Sequence, residues 1–293
     1  MHEVSCIISN ELAESLEDYF CEYVRSSWCL LRIRDEDPIT LQGFFQERVE
    51  AEREYAEMRE QFTELPAAPN WREFDDKEWQ DAYKAFIDPW SYGDLHWVPV
   101  WRRDDYVVPA GETAVYLDAG MAFGTGAHET TRLMAKRLLD FRNAYTGFAT
   151  KRVIDAGCGS GILAMSAAKL GFNEVYAFDR DPEAVRVSIE NRAFNDLPDA
   201  SVAFVEAGLE DGLINRKADL ILANIQADVL KIHAESLVAA TAPGGVLALS
   251  GILAEEVDSV RAVFAPLVEA KFGEVKIDSR VDGEWCDLTV FAS

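Results

Sequence analysis

Basic residues are scarce in this chain. Lys and Arg number 28 against 52 Asp and Glu, a formal net charge of -24 over 293 residues. A surface this acidic repels a phosphate backbone, so no direct nucleic-acid contact is expected. Histidine is rarer still: four residues, none at ligand spacing, which argues against a zinc site, and no metal is expected. The five cysteines form no CxxC and are odd in number, as in a protein of a reducing compartment. No apolar run approaches the roughly 18 residues of a membrane span. The start of the chain carries Glu3, Glu11 and Glu14 and lacks the basic and apolar stretches of a secretory leader. These absences together favour a cytoplasmic protein.

What is present is an ordinary folding composition, 49% hydrophobic and 27% charged, in a chain long enough for two domains. Residues 1–65 read as a small α/β domain. Strands are expected over Val4–Ile8, Trp28–Ile33 and Thr40–Phe45. Helices are expected over Glu11–Val24, where Leu12, Leu16, Tyr19, Phe20 and Tyr23 share one face, and over Glu47–Phe62. Pro66, Pro69 and Asn70 interrupt the pattern. Residues 66–106 read as a linker that holds five of the seven tryptophans, Trp71, Trp79, Trp90, Trp97 and Trp101. Indoles there either pin the linker to its neighbours or form part of a partner-binding face.

Residues 107–293 alternate strand and helix, which predicts a mostly parallel sheet covered on both faces. Expected strands are Arg152–Ala156, Glu174–Phe178, Ser201–Val205, Ala218–Leu222 and Gly245–Ser250. Helices are expected over Ile162–Leu170, Pro182–Phe194, Ala227–Ala240 and Ala254–Leu267. Two last strands, Lys271–Asp278 and Cys286–Phe291, have no helix between them and predict a C-terminal antiparallel hairpin turning at Asp282-Gly283.

The segment VIDAGCGSG, Val153 to Gly161, places three glycines behind the first of these strands, and Asp179 ends the second. In an open parallel sheet, ligands bind beyond the carboxyl ends of the strands where the order reverses. Gly157, Gly159 and Gly161 let backbone amides approach a ligand there. A dinucleotide site has the phase G-x-G-x-x-G. Here Ile162-Leu163-Ala164 follows Gly161 instead, so an NAD site is the weaker reading. Asp155 is placed to meet a cationic amino-acid group, directly or through water, and Asp179 to accept ribose hydroxyls. A ribose to hold, an ammonium to neutralise and no phosphate fit S-adenosyl-L-methionine. Around this turn, AFGTGAHETTR (Ala122 to Arg132) opens a helix with Thr130 and Thr131, and ANIQAD sets Asn224 at the end of the fourth strand.

LDAGMAFGTGAHETT, VIDAGCGSGILA, FDRDPEAV, LILANI and LALSGIL, in this order, resemble the PrmA family, methyltransferases of the eleventh protein of the large ribosomal subunit. The resemblance runs from Leu117 to Ser250 and through EWCDL near the C-terminus; over residues 1–110 it rests on the layout alone. It implies a Rossmann-like class I methyltransferase sheet behind a small α/β recognition domain, with S-adenosyl-L-methionine as methyl donor. The acceptors it implies are lysine ε-amines and an N-terminal α-amine of a large-subunit ribosomal protein. By the same resemblance Thr131, Gly157, Asp179 and Asn224 contact the cofactor.

No dedicated general base stands out, so Asn224 is the expected acceptor for the target amine. Phe123 is a candidate wall over the cofactor, His128 a candidate active-site residue at the helix start, and Ser250 and Trp285 are candidate substrate-side residues. Each also has a plain packing role. Methylation of another protein or a small molecule, and a non-catalytic binding module on the same fold, are the alternatives. A base-flipping nucleic-acid methyltransferase lacks its NPPY at Asn224. Oligomeric state is not legible.

Overall fold

The computed structural model describes residues 2–23, 27–32, 38–73, 87–118, 126 and 128–292. The chain divides into two compact units, Met1–Ala85 and Phe86–Ser293.

The first unit runs β1 (His2–Ile8), α1 (Asn10–Tyr23), β2 (Trp28–Leu31), β3 (Ile39–Phe45), α2 (Arg48–Gln61) and β4 (Asn70–Glu73). Its strands pair antiparallel in the order β2-β3-β1-β4. This is the βαββαβ, ferredoxin-like arrangement. Side chains of a strand alternate between faces, so Val4, Cys6 and Ile8 of β1 and Leu41 and Phe45 of β3 all point to one side. They close a core with Leu12, Leu16 and Tyr19 of α1 and Ala51, Tyr55 and Met58 of α2.

The second unit opens with a three-stranded sheet of β5 (Trp90–Tyr92), β6 (Leu95–Pro99) and β7 (Thr113–Leu117). Then come α3 (Glu129–Ala144), β8 (Arg152–Ala156), α4 (Ile162–Lys169), β9 (Glu174–Asp179), α5 (Pro182–Phe194), β10 (Ala203–Glu206), α6 (Leu209–Leu213) and β11 (Ala218–Asn224). The chain ends with α7 (Ala227–Ile232), α8 (Ala234–Ala240), β12 (Thr241–Leu253), α9 (Val257–Phe272), β13 (Lys276–Asp282) and β14 (Trp285–Phe291). The main sheet has the order β10-β9-β8-β11-β12-β14-β13. Its first five strands are parallel, and β14 pairs antiparallel with both β12 and β13.

Alternation sorts the central strands between two cores. Val153, Leu220, Leu222, Val246 and Ala248 pack with α3 and α4 on one face. Ile154, Ile221, Ala223, Leu247 and Leu249 pack with α6 to α9 on the other. Both faces are therefore apolar, as a parallel sheet requires. From β8 the chain builds outward through β9 and β10, then crosses to β11 on the other side of β8. The order reverses between β8 and β11, and the crevice opens at their carboxyl ends.

Several sequence expectations shift. The span 66–106, read as a linker, contributes β4 to the first sheet and β5 and β6 to the second unit. Trp97 is fully buried, and Trp90 stacks on it with ring centroids 4.0 Å apart. The helix over 227–240 is two helices that meet at His233. The helix expected to end at Leu267 continues to Phe272, where left-handed Gly273 stops it, so β13 begins at Lys276 and not at Lys271.

Candidate active site

A cavity of about 530 Å³ lies at the switch point. The glycine turn forms its floor. Gly157 and Cys158 donate their backbone N–H groups to the Phe178 carbonyl at distances of 2.9 and 3.0 Å, tying the end of β8 to β9. Gly157 has φ +75°, and a Cβ there would stand 2.5 Å from Ile225 Cγ2, so only glycine fits. Gly159 donates its N–H to Asp179 Oδ2 at 2.9 Å. Gly161 lies one step further, as the left-handed cap of α4, outside the cavity lining.

The turn is held from beneath by α5, a contact that the glycine spacing did not reveal. Ser188 donates to the Gly159 carbonyl at 2.7 Å, and Asn191 to the Ser160 carbonyl at 3.0 Å. Both side chains are fully buried. Their spacing is i, i+3, so they share one face of the helix. That polar pair on an otherwise apolar face was the available signal.

Three carboxyl or amide groups set the chemistry of the cavity. Asp179 ends β9 and accepts from the backbone N–H groups of Gly159 and Asp181, one on each oxygen, which fixes its plane and leaves a further acceptor site on each. Asp155 is 1% exposed. Its Oδ2 accepts from the Ala164 N–H at 3.0 Å, while Oδ1 is buried with no partner among the described residues. Burial, and to a lesser degree the charge of Asp179, push its carboxyl up to about 7. Asn224 ends β11. Its Nδ2 donates to Thr131 Oγ1 at 3.4 Å, and its Oδ1 is buried without a partner among the described residues. A buried acceptor left open this way costs stability, which marks both oxygens as candidate ligand contacts.

Beyond Asp179 the cavity continues past Arg180, Gly208, Leu209 and Glu210 to Val229 and His233. His233 Nδ1 lies 3.7 Å from Glu210 Oε1. Arg180 directly follows β9, Gly208, Leu209 and Glu210 form the start of α6, and Val229 and His233 lie in and just after α7; the sequence reading missed them because nothing in their local pattern sets them apart as ligand contacts.

The structure brings Thr131, Asp155, Gly157, Gly159, Asp179 and Asn224 together around this one cavity. His128 and Trp285 meet each other edge to face, centroids 4.9 Å apart, but neither lines the cavity. His128 instead caps α3, its Nδ1 accepting from the Thr130 N–H at 3.3 Å. Ser250, expected to face the pocket, does not. It shares the parity of Val246 and Ala248, is fully buried, and donates to the Cys286 carbonyl at 3.1 Å. Phe123 lies outside the described residues. Cys158 is buried in the turn, and desolvation holds its thiol well above the ordinary range, which excludes a thiolate nucleophile.

A reversed parallel sheet with a C-terminal antiparallel strand pair, and a nucleoside-sized cavity at its switch point, define a Rossmann-like methyltransferase domain. The family profile described as ribosomal protein L11 methyltransferase (PrmA) matches residues 5–292, and the chain belongs to that family. The "Ribosomal protein L11 methyltransferase" of Pelobacter propionicus is 36% identical over 307 residues, covering 97% of this chain and 94% of its relative. The protein of that name from Actinobacillus pleuropneumoniae is 38% identical over 221 residues, 74% of this chain and 69% of the relative. The crystal structure of ribosomal protein L11 methylase from Lactobacillus delbrueckii subsp. bulgaricus aligns with a TM-score of 0.60 at 29% identity, over 71% of this chain and all of that one.

Proposed function

We propose that this protein transfers methyl groups from S-adenosyl-L-methionine to amine nitrogens of ribosomal protein L11, with lysine ε-amines as the principal acceptors. The observation that carries the reading is the polar set of the cavity. Asp179 is presented to a ribose, Asp155 keeps one buried oxygen for an ammonium, and Asn224 keeps another acceptor at the end of β11. The glycine turn admits a ligand against bare backbone where a Cβ at Gly157 would collide with Ile225.

The donor, when bound, supplies an electrophilic sulfonium methyl group. The rest falls to the protein. An amine in water is almost wholly protonated, with a lysine reference value of roughly 10.4. Leaving water for a buried acceptor disfavours the charged form, so the proton departs to solvent as the amine enters. Asn224 Oδ1 then accepts an N–H of the neutral amine and turns its lone pair toward the reacting carbon. A neutral carboxamide does this without trapping the amine as an ammonium, which a carboxylate would do. Thr131 contacts the carboxamide at 3.4 Å and holds it at the cavity wall before the amine arrives.

The smaller βαββαβ unit is the proposed recognition module for the ribosomal protein, and the negative charge of the chain suits a basic partner. Such a substrate places the enzyme in the cytoplasm. The test is incubation of the purified chain with isotopically labelled donor and recombinant L11, with mass spectrometry of the product. The reading expects label on L11 amines, and its loss in Asp179→Ala and Asn224→Ala. Label on a different protein or a small molecule, with none on L11, would overturn the substrate assignment. Absence of any binding to the donor would overturn the cofactor assignment.

A further inference from the structure

Among the described residues, two buried donors have no partner, Nε1 of Trp90 and Nε of Arg132; neither residue lines the cavity, but Thr131, next to Arg132, does. Both deserve an occupant, because an unpaired buried N–H pays its desolvation with nothing in return. The neighbouring indole shows the contrast. Trp97 lies parallel to Trp90, with an interplanar angle of 12°, yet its Nε1 donates to Ser166 Oγ at 2.8 Å. Ser166 in turn donates to the Ile162 carbonyl at 2.6 Å. One ring of the stack is satisfied within the core, and the other presents its donor at the edge.

That edge adjoins the glycine-turn end of the cavity. A Cβ built on Gly126 would stand 2.9 Å from Trp90 Nε1 and 3.1 Å from Ile162 Cδ1, and Ile162 lines the cavity. A side chain at position 126 would press on the indole nitrogen, which is itself buried; only glycine leaves room beside it. Arg132 reaches the same place from the first turn of α3, its guanidinium carbon 5.5 Å from the centre of the Trp90 ring. Its neighbour in sequence, Thr131, lines the cavity. An indole N–H and a guanidinium are donors only, and the guanidinium is always charged. They fit an anionic acceptor, and a carboxylate matches the planar guanidinium best.

The unsatisfied groups around this end of the cavity are thus of two kinds. Asp155 Oδ1 and Asn224 Oδ1 await donors, and Trp90 and Arg132 await an acceptor. We infer that Trp90 and Arg132 form a carboxylate subsite, which holds the α-carboxylate of the methyl donor's amino-acid end while Asp155 faces its ammonium. The inference rests on the cofactor proposed above. It adds to it Trp90, in the segment read from sequence as a linker, and Arg132, the last residue of AFGTGAHETTR.

The test compares ligands that differ only at that end. Calorimetry on the full-length chain would measure S-adenosyl-L-methionine, its decarboxylated analogue and methylthioadenosine, against wild type, Trp90→Phe and Arg132→Met. Wild type is expected to bind the parent compound more tightly than the decarboxylated one. Each variant should lose about tenfold to a hundredfold in affinity for the parent, the scale of a charged hydrogen bond. Neither should change its affinity for the analogue or for methylthioadenosine, which also reports that the variant is folded. Equal losses for all three ligands would make Trp90 and Arg132 packing residues and overturn the inference, as would no loss for any. Wild type that binds parent and analogue equally overturns it too. Wild type that binds none of the three would instead refute the cofactor reading itself.

Discussion

Asn224 donates through Nδ2 to Thr131 Oγ1 and leaves its own Oδ1 buried and open. The two residues are 93 positions apart, and the contact joins a strand end to a helix start beside the cavity. Asn224→Ala removes the acceptor. Its kcat is expected to fall by about tenfold to a hundredfold, as for loss of one hydrogen bond made to the reacting amine. Asn224→Asp should behave differently. A carboxylate there stabilises the ammonium form of the substrate, so the alkaline pH needed for half-maximal rate should rise. Steady-state pH profiles of both variants with L11 separate the two effects.

Asp155 couples donor binding to a proton. Its carboxyl sits near 7 in the free protein because burial outweighs the Ala164 N–H. A cation brought against Oδ1 favours the ionised form, so binding releases a proton wherever the group was protonated. Donor affinity should therefore weaken as pH falls below about 7, approaching tenfold per unit, and proton release should appear in calorimetry as a dependence on buffer ionisation heat. The stability effect has the opposite sense to that of a salt-bridged carboxylate. Between the ordinary value of 3.8 and about 7 the folded state holds the proton that the unfolded state has lost, so stability declines as pH rises through that window. Asp155→Asn removes the penalty, on the order of a few kcal/mol at pH 8. The unliganded variant should melt higher than wild type at that pH while binding donor more weakly.

How much of this was legible follows from how local each signal is. The glycine turn, Asp155 and Asp179 announce themselves because a tight strand–helix turn and the next strand end need particular residues at short range. Ser250 was misplaced because it was read from its position at the end of the strand and not from its face: it shares the side of Val246 and Ala248 and is covered by the Cys286 carbonyl of the neighbouring β14. β5 and β6 were read as linker since they are only three and five residues long and carry their tryptophans in no clear period. Trp90 and Arg132 become a pair only through the three-dimensional path of the chain.

Gly157 offers a purely steric test. At φ +75° with Ile225 Cγ2 at 2.5 Å from the added methyl, Gly157→Ala must either shift the turn or push Ile225 into the cavity it lines. Donor affinity should fall by at least about tenfold, with a modest loss of stability. If titration calorimetry showed unchanged affinity, the turn would not be the floor of the binding site.

The last prediction concerns what holds α3, and with it Thr131 and Arg132, in place. Arg137 of α3 is 4% exposed and forms a two-pronged pair with Asp287 of β14, at 2.9 and 2.6 Å, while its third nitrogen reaches Asp278 of β13 at 2.8 Å. Asp287 is fully buried and also accepts the Arg280 N–H at 3.1 Å. Burial drives its carboxyl above the ordinary value despite the arginine, so the pair stands on its geometry against a real desolvation cost. Lys136–Asp282 and Arg280–Asp140 flank it in more exposed positions and contribute little. Arg137→Met should therefore cost about 3–5 kcal/mol, since the buried Asp287 is stranded, and Asp287→Leu less, since Arg137 keeps Asp278 at 2.8 Å. The double replacement should recover most of that loss, because two apolar side chains need no compensation. Thermal melts of the two single variants and the double would measure the cycle. Donor affinity should track the outcome: if the pair serves only stability, the refolded double variant binds as wild type does, and if it also sets the position of α3, affinity stays reduced although the melting temperature has returned.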